Sequence, residues 1–203
     1  MKLATWVLVA FVCVLLMSIG CSSSDDVVNT PPGADGACSN PPGVNNRFVD
    51  CGNGTVTDTQ TVLIWLKKAN CFAQQDWDTA LASAAGLKSG DCELKDHSSA
   101  GDWRLPTLQC VSGPGCNMSD APGEFSTIFG PACTSNLFIL NTAGTGCWTE
   151  GNLFSGVQLS NYWSSTTYAG YPGYACGVDL NNGNVNGFDK INPNYVWPVR
   201  GGP

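Results

Sequence analysis

Nine cysteines stand between Cys38 and Cys176, with a single histidine and no Cys-x-x-Cys pair in 203 residues, and this set constrains the fold more than any other feature. Structural zinc sites use closely spaced cysteine pairs with histidines, so metal ligation does not suit it. Disulfides do, in an exported and loop-rich domain, where closing a loop of about 15 residues contributes on the order of 3 kcal/mol in the chain-entropy model. Nine is odd, so four bonds leave one cysteine over, and spacing alone does not choose the connectivity. Proximity favours Cys110 with Cys116 and Cys133 with Cys147. Cys71 with Cys92 would close a segment that holds a helix, Cys38 and Cys51 complete the candidate set, and Cys176 is the candidate for a free thiol.

The amino terminus supplies the oxidising compartment. Met1 and Lys2 precede an uncharged apolar run from Leu3 to Ile19, and Gly20-Cys21 comes just before a polar stretch beginning at Ser22. A run of this length could span a bilayer, but the short basic end and the small residue before cysteine favour a cleaved signal peptide over residues 1–20. Met17-Ser18-Ile19-Gly20-Cys21 resembles a bacterial lipobox, with Ser18 departing from its usual Leu or Val, which implies a lipid on Cys21. Ser22 is the kind of following residue that sorts a lipoprotein to the outer membrane, periplasmic or surface-exposed. Losing Lys2 leaves 8 basic against 16 acidic residues, a charge near −8. Membrane contact is therefore expected through acyl chains only, and nucleic acid is excluded as a partner.

From 21 to 46 the chain is mostly Ser, Asp, Asn, Pro and Gly with two Pro-Pro-Gly triplets, a composition that buries no core, and it is read as a lipidated tether spanning roughly 25 to 30 Å. Residues 47–203 carry six of the seven tryptophans and form a single domain. Gly 24 and Pro 12 beside only 12 % charged residues point away from helical bundles. Runs at 47–50, 55–58 and 62–66 are β-prone and separated by turn residues, which predicts an antiparallel meander. Trp77, Ala80, Leu81, Ala84 and Ala85 recur at helical spacing behind a capping Asp76, and Gly86 or Gly90 can stop that helix. A second, short helix is predicted from Pro106, ending before Gly113. Strands return at 162–166, 174–180, 184–189 and 195–200, with Asn182-Gly183 as a hairpin signal that wants positive φ at both positions. The class is α+β.

Six ordered segments carry a resemblance. Arg47 to Asp58, Leu63-Ile64-Trp65-Leu66-Lys67, Trp77 with Ala80, Asp102-Trp103-Arg104-Leu105-Pro106-Thr107, Tyr162-Trp163-Ser164-Ser165-Thr166 and Tyr195-Val196-Trp197-Pro198-Val199-Arg200 together resemble the Lcl C-terminal domain family. The resemblance implies a C-type-lectin-like single domain on an exported bacterial protein, and the namesake is a collagen-like adhesin that binds sulfated polysaccharides. Val62 stands where members usually have glycine, and Cys110 where a glutamate usually follows Leu-Pro-Thr, so the cysteine-rich stretch to Cys147 reads as an insertion. Sulfated chains want clustered cations, which eight basic residues spread from Arg47 to Arg200 do not supply.

Candidate sites are few. Tyr168, Tyr171 and Tyr174 lie among Gly170, Pro172 and Gly173, where loop aromatics can stack on sugar faces, although a loop packed on its own domain would look the same in sequence. Asp179, Asn181, Asn182, Asn184 and Asn186 offer oxygens to calcium, but hairpin chemistry explains them more simply. Arg104 and Arg200 could hold an anion; in such apolar settings each is expected to pair with a buried carboxylate such as Asp102. His97, in a polar run, and a free Cys176 are the only handles for catalysis. The reading is a non-catalytic envelope lipoprotein without cofactor, binding a glycan or surface polysaccharide in adhesion. The alternative is an assembly module that binds another envelope protein.

Overall fold

The computed structural model describes residues 36–110, 122–130, 133, 138–149 and 152–201. The expected signal peptide, the lipidation site Cys21, the tether up to residue 35, and Cys116 lie outside the described residues. Strands β1 (Phe48–Asp50), β2 (Thr55–Asp58) and β3 (Leu63–Leu66) pair antiparallel in sequence order, as the turn residues between them require. The β1–β2 turn uses Gly52 and Gly54 at φ 70° and 88°, a region open to glycine at no steric cost. The β2–β3 turn instead places Val62 at φ 60°. That is the position where the resemblance leads to an expectation of glycine.

Helix α1 (Trp77–Gly86) starts at Asp76, whose carboxylate accepts from the Thr79 backbone N–H at 3.0 Å and the Thr79 hydroxyl at 2.7 Å. These hydrogen bonds hold the Asp76 carboxyl below its ordinary value. A second antiparallel sheet follows, β4 (Asn161–Thr167), β5 (Tyr174–Asp179) and β6 (Asn184–Asp189). The chain then returns to the first sheet as β7 (Val199–Gly201), giving the order β1-β2-β3-β7. The strand expected over 195–200 shrinks to this because Pro198 has no N–H to give a ladder, while its carbonyl accepts from Leu66 N–H at 3.1 Å.

Alternation along β4 organises the packing, since successive side chains point to opposite faces. Tyr162 enters the main core with Trp65, Phe125, Phe154 and Trp197, a cluster that draws on both sheets. Its neighbour Trp163 points the other way, into a smaller cluster with Ala175, Val196, Leu105 and the helical Ala80 and Ala84. Alanines on the buried helix face let α1 approach the sheet closely. The result is a small α+β domain of two antiparallel sheets and one α-helix among the described residues.

Several expectations are corrected. No helix starts at Pro106: the segment runs extended, with the Pro106 carbonyl accepting from Ser165 N–H at 2.9 Å and Leu108 N–H donating to Thr166 Oγ1 at 3.2 Å. Contacts with β4 outcompete the local helical preference there. A 3-10 helix over Phe125–Ile128 appears instead, inside the stretch read as an insertion, and buries Phe125 and Ile128. The β5–β6 turn is a four-residue loop between Asp179 and Asn184, with Gly183 at φ 74° and Asn182 outside the positive region. Gly183 N–H donates to Asp179 O at 2.8 Å, so only one residue needs glycine's freedom.

Four disulfides link Cys38–Cys51, Cys71–Cys92, Cys110–Cys176 and Cys133–Cys147. Cys110 therefore pairs with Cys176 and not with the nearby Cys116, and Cys176 is no free thiol. The reason is the extended path after Pro106, which brings Cys110 beside β5, with its Cα 5.7 Å from that of Cys176. The packed chain also includes residues before Arg47. Cys38 N–H donates to Thr57 Oγ1 at 3.1 Å, and a side chain at Gly36 would collide with the Arg200 guanidinium.

Candidate functional site

The β4–β5 connection is wound into two consecutive tight turns. Tyr171 N–H donates to Tyr168 O at 3.2 Å, Tyr174 N–H to Tyr171 O at 2.8 Å, and Tyr168 N–H closes the loop on Tyr174 O at 2.9 Å. Gly170 at φ 89° permits the first turn. A three-residue step thus sets each tyrosine beside the next, and the rings follow. Tyr168 and Tyr171 stack with centroids 5.7 Å apart and planes at 19°, and Tyr174 meets Tyr171 at 6.1 Å and 72°.

The three candidate tyrosines, separate in sequence, are brought together as one aromatic corner. It lines a surface depression of about 250 Å³ with Gly187 of β6. Gly187 is there for a physical reason: a Cβ on it would sit 3.1 Å from Cγ of Tyr168, so the ring lies against bare backbone. Sequence reading missed Gly187, because its role appears only once β6 is paired with β5. Tyr171 is 62 % exposed and Tyr174 41 %, whereas Phe48, Trp65, Trp103, Tyr162, Trp163 and Trp197 of the motif segments are buried and Trp77 and Tyr195 half-buried. The loop is therefore not simply folded onto its own domain.

The flanking charges are already engaged. Lys190, just after β6, donates through Nζ to Thr167 Oγ1 at 3.1 Å and lies 3.9 Å from the centre of the Trp77 ring. The Asp189 carboxylate accepts from Ile191 N–H at 3.2 Å. Ile191 itself is 79 % exposed.

Other candidates take structural places. Asp179 Oδ1 accepts from Asn181 N–H and Asn182 Oδ1 from Asn184 N–H, both at 2.9 Å, so these oxygens shape the hairpin. No group of three or more His, Cys, Asp or Glu residues able to hold a metal occurs among the described residues. Asp102 is not the arginines' partner; it accepts from Ser99 N–H at 2.7 Å. Arg104 makes a two-pronged pair with Glu124, whose other contact is Thr107 N–H at 3.0 Å. Burial pushes the Glu124 carboxyl up, but hydrogen bonds from Arg104 and Thr107 prevail and hold it below its ordinary value. Arg200 lies 3.1 Å from Asp96 and over the Trp103 ring at 5.3 Å. Sequence gave no sign of Glu124 or Asp96 in these roles, since both partners arrive from distant loops.

The motif tryptophans are framework. Trp65, Trp103, Trp163 and Trp197 are almost fully buried, and the indole N–H groups of the last two donate to the carbonyls of Gln75 and Leu66, both at 2.8 Å. Trp77 donates to Ser164 O at 2.8 Å and so pins α1 to β4. The model of the Lcl C-terminal domain matches residues 54–200. The chain belongs to the Lcl C-terminal domain family. No curated protein and no solved structure matches it. In this Lcl C-terminal domain the family segments build the first sheet, the start of α1 and strand β4 with its buried aromatics, whereas the tyrosine corner sits on the loop between β4 and β5.

Proposed function

We propose that this protein is a lectin-like, non-catalytic component of the cell envelope, held to the membrane by a lipid on Cys21, that binds an extracellular glycan or surface polysaccharide in adhesion. The observation that carries this reading is the corner of Tyr168, Tyr171 and Tyr174, two of them exposed, on a loop braced by backbone hydrogen bonds. Flat aromatic faces offer a sugar's C–H surface a desolvated partner, and phenol hydroxyls at the rim can exchange hydrogen bonds with sugar hydroxyls. Rigid presentation lowers the ordering cost of binding.

Support for a non-catalytic role comes from the two handles for chemistry. His97 is exposed in an irregular segment, and Cys176 is 1 % exposed and joined to Cys110, so neither is set up as a nucleophile with a base among the described residues. The four disulfides suit an exported protein. A glycan array probed with the full chain tests the reading. Binding that Tyr171→Ala abolishes supports it, and an array without hits overturns it in favour of a protein partner. Metabolic labelling with a clickable fatty acid, lost in Cys21→Ala, tests the anchor.

A further inference from the structure

Resting on that reading of the corner, we infer that its ligand is an uncharged polysaccharide, gripped one sugar residue at a time, and that the domain discriminates against sulfated and carboxylated chains. The first argument is where the cations are. Residues 21–203 hold eight Lys and Arg residues, and six of them have partners within the fold. Arg47 pairs with Asp58, Lys67 with Asp50, Lys68 with Glu93, Arg104 with Glu124 and Arg200 with Asp96. Lys190 is the cation nearest the tyrosines in sequence, and its ammonium is taken up by Trp77 and Thr167. Lys95 lines a different groove together with Lys67 and Lys68, where the carboxylates of Asp50 and Glu93 stand among the three ammonium groups, and Lys88 follows α1. None of the eight lines the tyrosine corner.

A sulfate or carboxylate entering the corner would give up water and meet ring faces, whose negative quadrupole repels an anion. The excess of acidic over basic residues adds a longer-range repulsion of polyanions. A neutral sugar suffers neither cost. Its axial C–H groups meet the rings, and its hydroxyls stay wet or reach the phenols.

The second argument is size. A depression of about 250 Å³ falls below the roughly 300–1,000 Å³ of sites that engulf a drug-sized ligand, so one pyranose ring fills it while the rest of the chain lies outside. Tyr171 and Tyr174, at 72° to each other, give such a ring a floor and a wall. Monovalent affinity is then weak, and useful retention comes from many copies meeting a repetitive polymer.

The test is retention of the full chain on immobilised dextran, galactan and mannan, each beside its sulfated derivative, between low and high salt. The expected result is preference for at least one neutral polymer over its sulfated form, with retention changing by less than about twofold across the salt range because no ion pair is screened. Tyr171→Ala should weaken it by roughly tenfold or more, as for a central aromatic contact, while Tyr171→Phe retains it. Stronger, salt-sensitive and Tyr171-dependent retention on a sulfated polymer overturns the inference and leaves the corner as a glycan site. Retention indifferent to Tyr171 and Tyr174, or no retention on any polymer, overturns the reading on which the inference rests.

Discussion

Cys110 and Cys176 are bonded across 66 residues of sequence, fastening the extended segment after Pro106 to the middle of β5. This is the longest loop that the four bonds close. In the chain-entropy model it contributes about 4 kcal/mol, against about 3 kcal/mol for the 13- and 14-residue separations of Cys38–Cys51 and Cys133–Cys147. The Cys110→Ala/Cys176→Ala double variant is therefore expected to lose more stability in urea than Cys38→Ala/Cys51→Ala. Peptide mapping without reduction should recover a fragment joining Cys110 to Cys176; recovery of Cys110 joined to Cys116 would refute the pairing.

Val62 carries a β-branched side chain at φ 60°, a region that costs an L-residue roughly 1–2 kcal/mol. It is 47 % exposed, so its side chain returns little by burial. Val62→Gly relieves the strain and gives back part of the gain through the greater freedom of glycine in the unfolded chain. A net stabilisation of about 0.5–1 kcal/mol is expected, read as a higher urea midpoint at unchanged slope. A lower midpoint would mean that the turn is not strained.

Burial pushes the Glu124 carboxyl up, but the hydrogen bonds and charge that Arg104 and Thr107 offer its ionised form together outweigh it and hold the group below its ordinary value of 4.5 in the folded protein. A depressed carboxyl stabilises the fold above the unfolded value and loses that contribution as pH falls through the folded one. Glu124→Gln should then cost on the order of 1 kcal/mol near neutral pH, discounted for the partly exposed Arg104. The gap between the two proteins should close as pH drops below about 4. Denaturant melts at neutral and acid pH check it; a gap constant with pH would remove the carboxylate from the account.

Trp65 and Trp197 touch at 5.7 Å between centroids in the main core, yet differ in one respect. Trp197 Nε1 donates to Leu66 O, whereas Trp65 Nε1 is buried with no hydrogen-bond partner among the described residues. Replacement by phenylalanine should therefore cost about 1 kcal/mol more at Trp197 than at Trp65, the worth of one buried hydrogen bond. Thermal unfolding of the two variants decides it, and equal losses would refute it.

Elements set by local chemistry were legible in the residues. The β1–β2–β3 meander, α1 with its Asp76 cap and the β5–β6 pair follow from turn residues, period and capping, which act within a few positions. The tyrosine loop was legible as a candidate because Gly170, Pro172 and Gly173 exclude regular structure around it. What escaped was decided by contacts far apart in sequence. Pro106 is a good first residue for a helix, but strand β4 takes its carbonyl; Cys110 has Cys116 six residues away, but the extended path delivers it to Cys176. The pairing of Arg104 with Glu124 spans 20 residues and that of Arg200 with Asp96 spans 104, and no local pattern encodes either.

The bond between Cys38 and Cys51 gives the domain a mechanical property. A pull arriving along the amino-terminal segment passes Gly36, which lies against Arg200, and at Cys38 crosses through sulfur to Cys51, beyond the end of β1. The twelve residues between these cysteines, β1 included, form a covalently closed loop that the load bypasses. Tension applied through that segment would thus leave the β1–β2 hydrogen bonds unstretched, and the first strand could not be peeled away from its sheet while that crosslink lasts.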